Sequence, residues 1–257
     1  MVVLHGGPGA HHDYLLPQYD RLAPGGRTRE LFYYDQRGGG RSPVPRETPV
    51  GWREHVADLE AIRVSLAIEQ LTLCGYSWGG LLALLYMLDH PERVERLALV
   101  SPASPTAAHR RQFEEEFARR MAAPEIVRAR EELRASGLRE QDPAAYQRRA
   151  FELSVAGYFR DFREAMNLTA FRVNARTQQA VWDSLADYDL RDRLHALRPK
   201  PHALILHGTF DPIPIAGSRE LAQILGAALV ELPVGHCPHV EATEDFVRAL
   251  DGFLPKQ

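Results

Sequence analysis

Short apolar runs punctuate the chain, each closed off by glycine, proline or a charged residue. They are Val2–His5, Leu31–Asp35, Leu71–Gly75, Leu97–Ser101, Ala203–His207 and Ala228–Leu232. None alternates with polar residues, which is how strands buried on both faces look. Between them lie stretches of helical character: Trp52–Ile68, Gly79–His90, Ser218–Leu225 and Thr243–Phe253. This alternation predicts an α/β fold, a mostly parallel sheet with helices on both faces.

The rhythm breaks between about Pro102 and Pro199. No strand pattern occurs there, and His109–Met121, Pro124–Ser136 and Pro143–Leu153 are rich in Arg, Glu and Ala. Phe113, Phe117 and Met121 recur at helical spacing and give one apolar face. So long a loop without structure of its own would be unusual, so the segment is expected to be helical. Three parts follow: core residues 1–101, a helical cap at 102–199 and core residues 200–257. A cap so inserted would cover the strand ends, where open α/β sheets bind ligands.

Composition narrows the classes. The 257 residues carry a formal charge of −3, which gives no electrostatic case for nucleic acid or an anionic membrane. The longest apolar run, Leu81–Leu88, is far short of the ~20 residues that cross a bilayer. No signal-peptide pattern opens the chain. Two cysteines, Cys74 and Cys237, are too few for a disulfide framework and show no zinc-like spacing. A cytoplasmic protein with reduced thiols, no metal and no cofactor is expected.

The sharpest chemical signal is Gly75-Tyr76-Ser77-Trp78-Gly79, which fits G-x-S-x-G between a strand and an apolar helix. In that context it is a nucleophile elbow, with Ser77 raised at the mouth of the sheet. A serine hydroxyl needs a base, and that base needs an orienting carboxylate. In chain order these follow the serine as acid, then histidine. Asp211, just past the run Ala203–His207, is the expected acid. His236, just past Ala228–Leu232, is the expected base. His239 is a rival base, and Asp187 and Asp189 are rival acids within the helical segment. His5-Gly6-Gly7-Pro8-Gly9 follows the first strand and supplies a turn for an oxyanion site. Two backbone N–H groups are needed there, and Gly7 and Trp78 are the expected donors.

These motifs, with Asp35-Gln36-Arg37-Gly38-Gly39-Gly40-Arg41-Ser42 and the closing Gly235-His236 and Glu241, resemble the proline iminopeptidase family of α/β-hydrolases. The resemblance implies an α/β-hydrolase sheet, a helical cap, no cofactor, and Ser77, Asp211 and His236 as a triad. It also implies that Asp35 and Arg37 brace the oxyanion loop. Two departures stand out. The cap acids that hold a substrate's amino terminus in the family are not matched in place. Glu152 is displaced relative to Tyr158-Phe159, and Glu114, Glu115, Glu116 and Glu164 are other candidates among many arginines. The usual first two N-terminal strands are also absent, which leaves Leu31–Asp35 as a sheet edge. A homodimer or other cover at that edge, or a start further upstream, is expected.

The resulting expectation is acyl-enzyme hydrolysis of a small amide or ester, with a short peptide or small molecule as partner. An aminopeptidase preferring N-terminal proline is the first reading and a carboxylesterase the second. A non-catalytic ligand receptor on the same fold is a remote third. Haloalkane dehalogenases and epoxide hydrolases normally carry aspartate at the elbow and are disfavoured by Ser77.

Overall fold

Six parallel strands form one sheet: β1 (Val2–Leu4), β2 (Phe32–Tyr33), β3 (Leu71–Tyr76), β4 (Val94–Val100), β5 (His202–Gly208) and β6 (Ala228–Leu232). Their spatial order is β2-β1-β3-β4-β5-β6. The computed structural model describes residues 1–23 and 29–255. Twelve helices accompany the sheet among these residues. They are α1 (Leu16–Tyr19), α2 (Trp52–Ser65), α3 (Trp78–Asp89), α4 (Ala107–Met121), α5 (Pro124–Ala135), α6 (Leu138–Gln141), α7 (Pro143–Ser154), α8 (Ala175–Leu185), α9 (Arg191–Ala196), α10 (Ile215–Leu225), α11 (Pro238–Glu241) and α12 (Thr243–Phe253).

The uninterrupted apolar strands are explained by two cores. Side chains alternate across a strand, so neighbours go to opposite faces. Val2, Leu4, Leu71, Leu73, Leu97 and Leu99 join α2, α3 and α10 on one face. Val3, Cys74, Tyr76, Ala98 and Val100 join α12 and the Tyr14–Leu22 segment on the other. Ten consecutive residues of α3, Trp78 to Met87, are buried, so this helix shows no polar stripe.

Two strands differ from expectation by more than one residue at an end. β4 begins at Val94 rather than Leu97, because Glu95 sits exposed at the strand entry and masks the pattern. β2 contracts to two residues because it pairs only with β1, through Val2 and Val3. It is the edge strand, and no strand among the described residues covers its other side.

Between β4 and β5 the chain makes only helices and turns, apart from one isolated bridge between Thr106 and Asp189. Sequence reading missed α8. Its signal was present: Asn174 caps the N–H groups of Arg176 and Thr177, and Thr177, Val181 and Leu185 are buried at a spacing of four. Among the described residues no helix is long and apolar enough to cross a membrane.

Candidate active site

β3 ends at Tyr76 and α3 begins at Trp78, so Ser77 alone makes the turn. Its φ of 54° and ψ of −119° are costly for a residue with a side chain, by about 1–3 kcal/mol. Strand and helix leave no room to relax it. A Cβ on Gly75 would overlap the Gly79 carbonyl, and one on Gly79 would overlap the Leu4 carbonyl of β1. The two glycines of the motif are thus required by close approach of backbone to backbone.

His236 follows β6 and Asp211 follows β5, and the parallel sheet delivers both to the end where Ser77 stands. His236 Nε2 lies 3.0 Å from Ser77 Oγ, and its Nδ1 lies 2.8 Å from Asp211 Oδ2. A carboxylate only accepts, so it fixes the proton on Nδ1 and leaves Nε2 to accept from the serine. Burial alone would raise the Asp211 pKa. The nearby His236 and His207 and hydrogen bonds from the His236 ring and the Ile213 N–H outweigh burial and hold it below its usual value. The carboxylate therefore stays ionised in a fully enclosed position.

The His236 ring lies between Tyr76 and Tyr158, with centroids 5.2 and 4.9 Å away. Its loop is held on both sides. The His236 N–H donates to the Tyr158 carbonyl, and Glu241 accepts from the N–H groups of Gly235, Arg160 and Cys237. Glu241 thus ties the loop of the expected base to the helical segment. Cys237 is buried beside it, 3.3 Å from the Tyr76 hydroxyl, and burial pushes its thiol pKa up.

The rivals lie elsewhere. His239 is wholly buried and packs edge-on against Tyr19 and Tyr76. Asp187 is exposed and pairs with Arg111, while Asp189 pairs with Arg191.

Gly7 has a φ of +61° and shares a cavity wall with Ser77, Trp78 and His236. Among the described residues neither the Gly7 nor the Trp78 N–H has a protein acceptor. Gln36, which sequence reading passed over, fastens these two segments together. Its side chain donates to the His5 carbonyl at 2.9 Å and accepts from the Trp78 indole at 2.7 Å, while its own N–H donates to His5 Nε2. The neighbours behave differently. Asp35 accepts from the N–H groups of His12 and Arg41 and braces the turn after Gly9. Arg37 pairs instead with Asp58 of α2, a partner remote in sequence.

The cavity has a volume of about 410 Å³ and is lined mainly by aromatic rings, including Phe113, Phe117, Tyr158 and Trp182. Glu114 is the one carboxylate on its wall among the described residues. It is paired with Arg110, whose guanidinium lies 4.3 Å over Trp182. Glu152 is buried between Arg148 and Arg149, and Glu116 pairs with Arg119 and Arg120. Glu164 lies on a different depression, near Glu241.

An all-parallel sheet with serine, histidine and carboxylate hydrogen-bonded in series at its strand ends is hydrolase architecture. The model of the alpha/beta hydrolase fold matches residues 1–243. A proline iminopeptidase of Lactobacillus helveticus (strain DPC 4571) is 30% identical over 278 residues, covering 99% of this chain and 89% of that protein. Among solved structures, an esterase from Exiguobacterium antarcticum aligns with a TM-score of 0.69 at 22% identity, covering 98% of this chain and 90% of its own. A proline iminopeptidase from Mycobacterium smegmatis aligns at 0.67 and 23%, covering 98% and 87%. Both structural likenesses are of fold. The chain belongs to the alpha/beta hydrolase fold family; it is a hydrolase, similar to proline iminopeptidases.

Proposed function

We propose that the chain is a serine hydrolase that forms an acyl-enzyme on Ser77, with His236 as base and Asp211 as its orienting acid. The supporting observation is the hydrogen-bonded series Ser77–His236–Asp211 opening onto one aromatic cavity. Ser77 Oγ adds to a carbonyl while His236 takes its proton. Asp211 stabilises the imidazolium that results. The N–H groups of Gly7 and Trp78 hold the oxyanion. His236 then protonates the leaving amine or alcohol, and water releases the acyl group by the same steps in reverse. The 102–199 segment acts as a cap, anchored to the His236 loop through Tyr158 and Glu241. The same proposal includes a cytoplasmic setting, small substrates rather than nucleic acid or membrane, and pairing of two copies along β2.

For substrate we propose release of an N-terminal residue, proline preferred, from short peptides. Similarity to proline iminopeptidases supports it, as does Glu114, a carboxylate on the cavity wall that a substrate ammonium would pair with. A second reading, hydrolysis of small acyl esters, is favoured by Arg110, which already pairs with Glu114, the one carboxylate on the cavity wall among the described residues. A panel of L-proline p-nitroanilide and p-nitrophenyl esters of similar size decides between them. Aminopeptidase action predicts turnover of the anilide that falls at least about tenfold in kcat/KM, a margin of about 1.4 kcal/mol, when the proline nitrogen is acetylated. Turnover of the esters with no turnover of the anilide favours the esterase reading.

Gln36 offers a test of the oxyanion assignment. Gln36→Leu keeps the volume but unties Trp78 from the His5–Gly7 turn. Loss of a whole oxyanion donor costs about 10²–10³ in kcat, so misplacing two is expected to cost roughly 10- to 100-fold. KM should change much less. A variant with unchanged kcat would show that the two amides need no such tie.

A further inference from the structure

Tyr14 carries a hydrogen-bond donor that no described residue of the protein uses. Its hydroxyl oxygen accepts the Gly6 N–H at 2.8 Å, and among the described residues it donates to no acceptor, which leaves its own hydrogen free. A phenol has one hydrogen to give, and a buried donor is rarely left without an acceptor. The ring is only 2% exposed. It stacks on Phe171 at 4.4 Å and meets Tyr76 edge-on at 6.2 Å, so the hydroxyl has a fixed place. That place is the cavity wall beside Gly7 and Ser77. A Cβ built on Gly6 would lie 2.9 Å from Ser77 Cβ and 3.1 Å from the Tyr14 hydroxyl, so both groups flank the same backbone atom. Burial pushes the phenol pKa well up, and the group remains a proton-bearing donor at any pH the protein meets.

We propose that Tyr14 is a third donor of the oxyanion site, its O–H meeting the carbonyl oxygen that gains charge when Ser77 adds to the substrate. The inference rests on Ser77 as nucleophile. No proton is transferred: the hydrogen stays on the phenol, and the bond shortens as negative charge builds. The same side chain has a second task. By accepting the Gly6 N–H it holds the turn that presents Gly7.

The two tasks separate by experiment. Tyr14→Phe keeps the ring and its stacking but removes the hydroxyl. Wild type and variant are compared on a matched ester and thionoester, with kcat and KM taken separately. Sulfur is a weak acceptor, so a donor aimed at the oxyanion assists the oxygen substrate far more than the sulfur one. The expected result is a fall in kcat of roughly 10- to 100-fold on the ester, with little change in KM and a much smaller fall on the thionoester. Installing 3-fluorotyrosine at position 14 restores the hydroxyl and should return kcat to within about threefold of wild type. Unchanged kcat in Tyr14→Phe overturns the proposal. An equal fall on both substrates also overturns it, because the hydroxyl would then serve only to hold Gly6. Fluorophosphonate labelling of wild type at Ser77 is run alongside. Absence of that label refutes the nucleophile assignment itself, an outcome distinct from either result at Tyr14.

Discussion

Ser77→Ala should abolish turnover, with kcat falling about 10⁵- to 10⁶-fold, as removal of a triad nucleophile does. The loss should be chemical and not structural. Ser77 Oγ makes its one side-chain hydrogen bond to His236, and that bond carries at most about 1 kcal/mol of net stability. The backbone at φ 54° is enforced by the Gly75 and Gly79 contacts, which alanine leaves untouched. Thermal unfolding should therefore match wild type within a few degrees, by the usual scaling for a domain of this size. Labelling by a fluorophosphonate should vanish in parallel. Activity within about tenfold of wild type would remove Ser77 from the mechanism. The remaining catalysis over water, expected to be about 10³–10⁴, belongs to the oxyanion donors and to binding.

The parts of this site that sequence reading found share one property: their signal is local. Gly75-Tyr76-Ser77-Trp78-Gly79 states its own turn. Asp211 and His236 each follow an apolar run, and chain order assigns their roles. What escaped is whatever depends on packing between remote segments. Gln36 joins His5 to Trp78, forty-two residues away. Arg37 finds Asp58 on α2, and Glu241 gathers N–H groups from positions 160, 235 and 237. Tyr14 was a tyrosine in a loop until the fold set it beside Ser77. The cap carboxylates show the reverse error. Glu114, Glu115, Glu116 and Glu164 read alike as candidates among arginines, yet among the described residues only Glu114 reaches the cavity wall. Which face of a helix meets a pocket depends on how that helix is laid down, and its own sequence does not settle that.

The attachment of the cap also follows from the structure. The His236 N–H bonds to the Tyr158 carbonyl, and a Cβ on Gly235 would collide with that same oxygen. Tyr158 then stacks on the imidazole at 4.9 Å. A ring face near a forming imidazolium is favourable by about 0.5–2 kcal/mol. The segment we propose as a cap is thus part of the environment of the His236 ring.

Acid should unfold this protein chiefly by charging its buried histidines. Four histidines are buried in the neutral form: His5, His55, His207 and His239. Burial lowers the pKa of His5 and His55 to about 4 and of His239 to about 3. Burial also lowers that of His207, against the pull of Asp211 at 3.5 Å. The surroundings explain the resistance to charge. His5 Nε2 already accepts the Gln36 N–H, and His207 Nδ1 accepts from Ser218. The His239 ring packs against Tyr19, Tyr76 and Phe246, and among the described residues its nitrogens have no hydrogen-bond partner. In the unfolded chain all four take a proton near pH 6.5. The unfolded state therefore binds more protons than the folded one below that pH, so stability falls as pH falls through the window from about 6.5 to 4. Each proton steepens the loss by about 1.4 kcal/mol per pH unit, and four together give about 5.5 kcal/mol per unit. A domain with about 5–15 kcal/mol in hand should then unfold between roughly pH 4 and 5. Urea melts at steps from pH 7.5 to 4.5 measure the slope directly. His239→Leu, which fills an apolar site without titrating, should reduce that slope by about one proton. A midpoint that stays level from pH 7 to 5 would mean that these four rings gain no protons on unfolding, and the neutral buried assignment would fail.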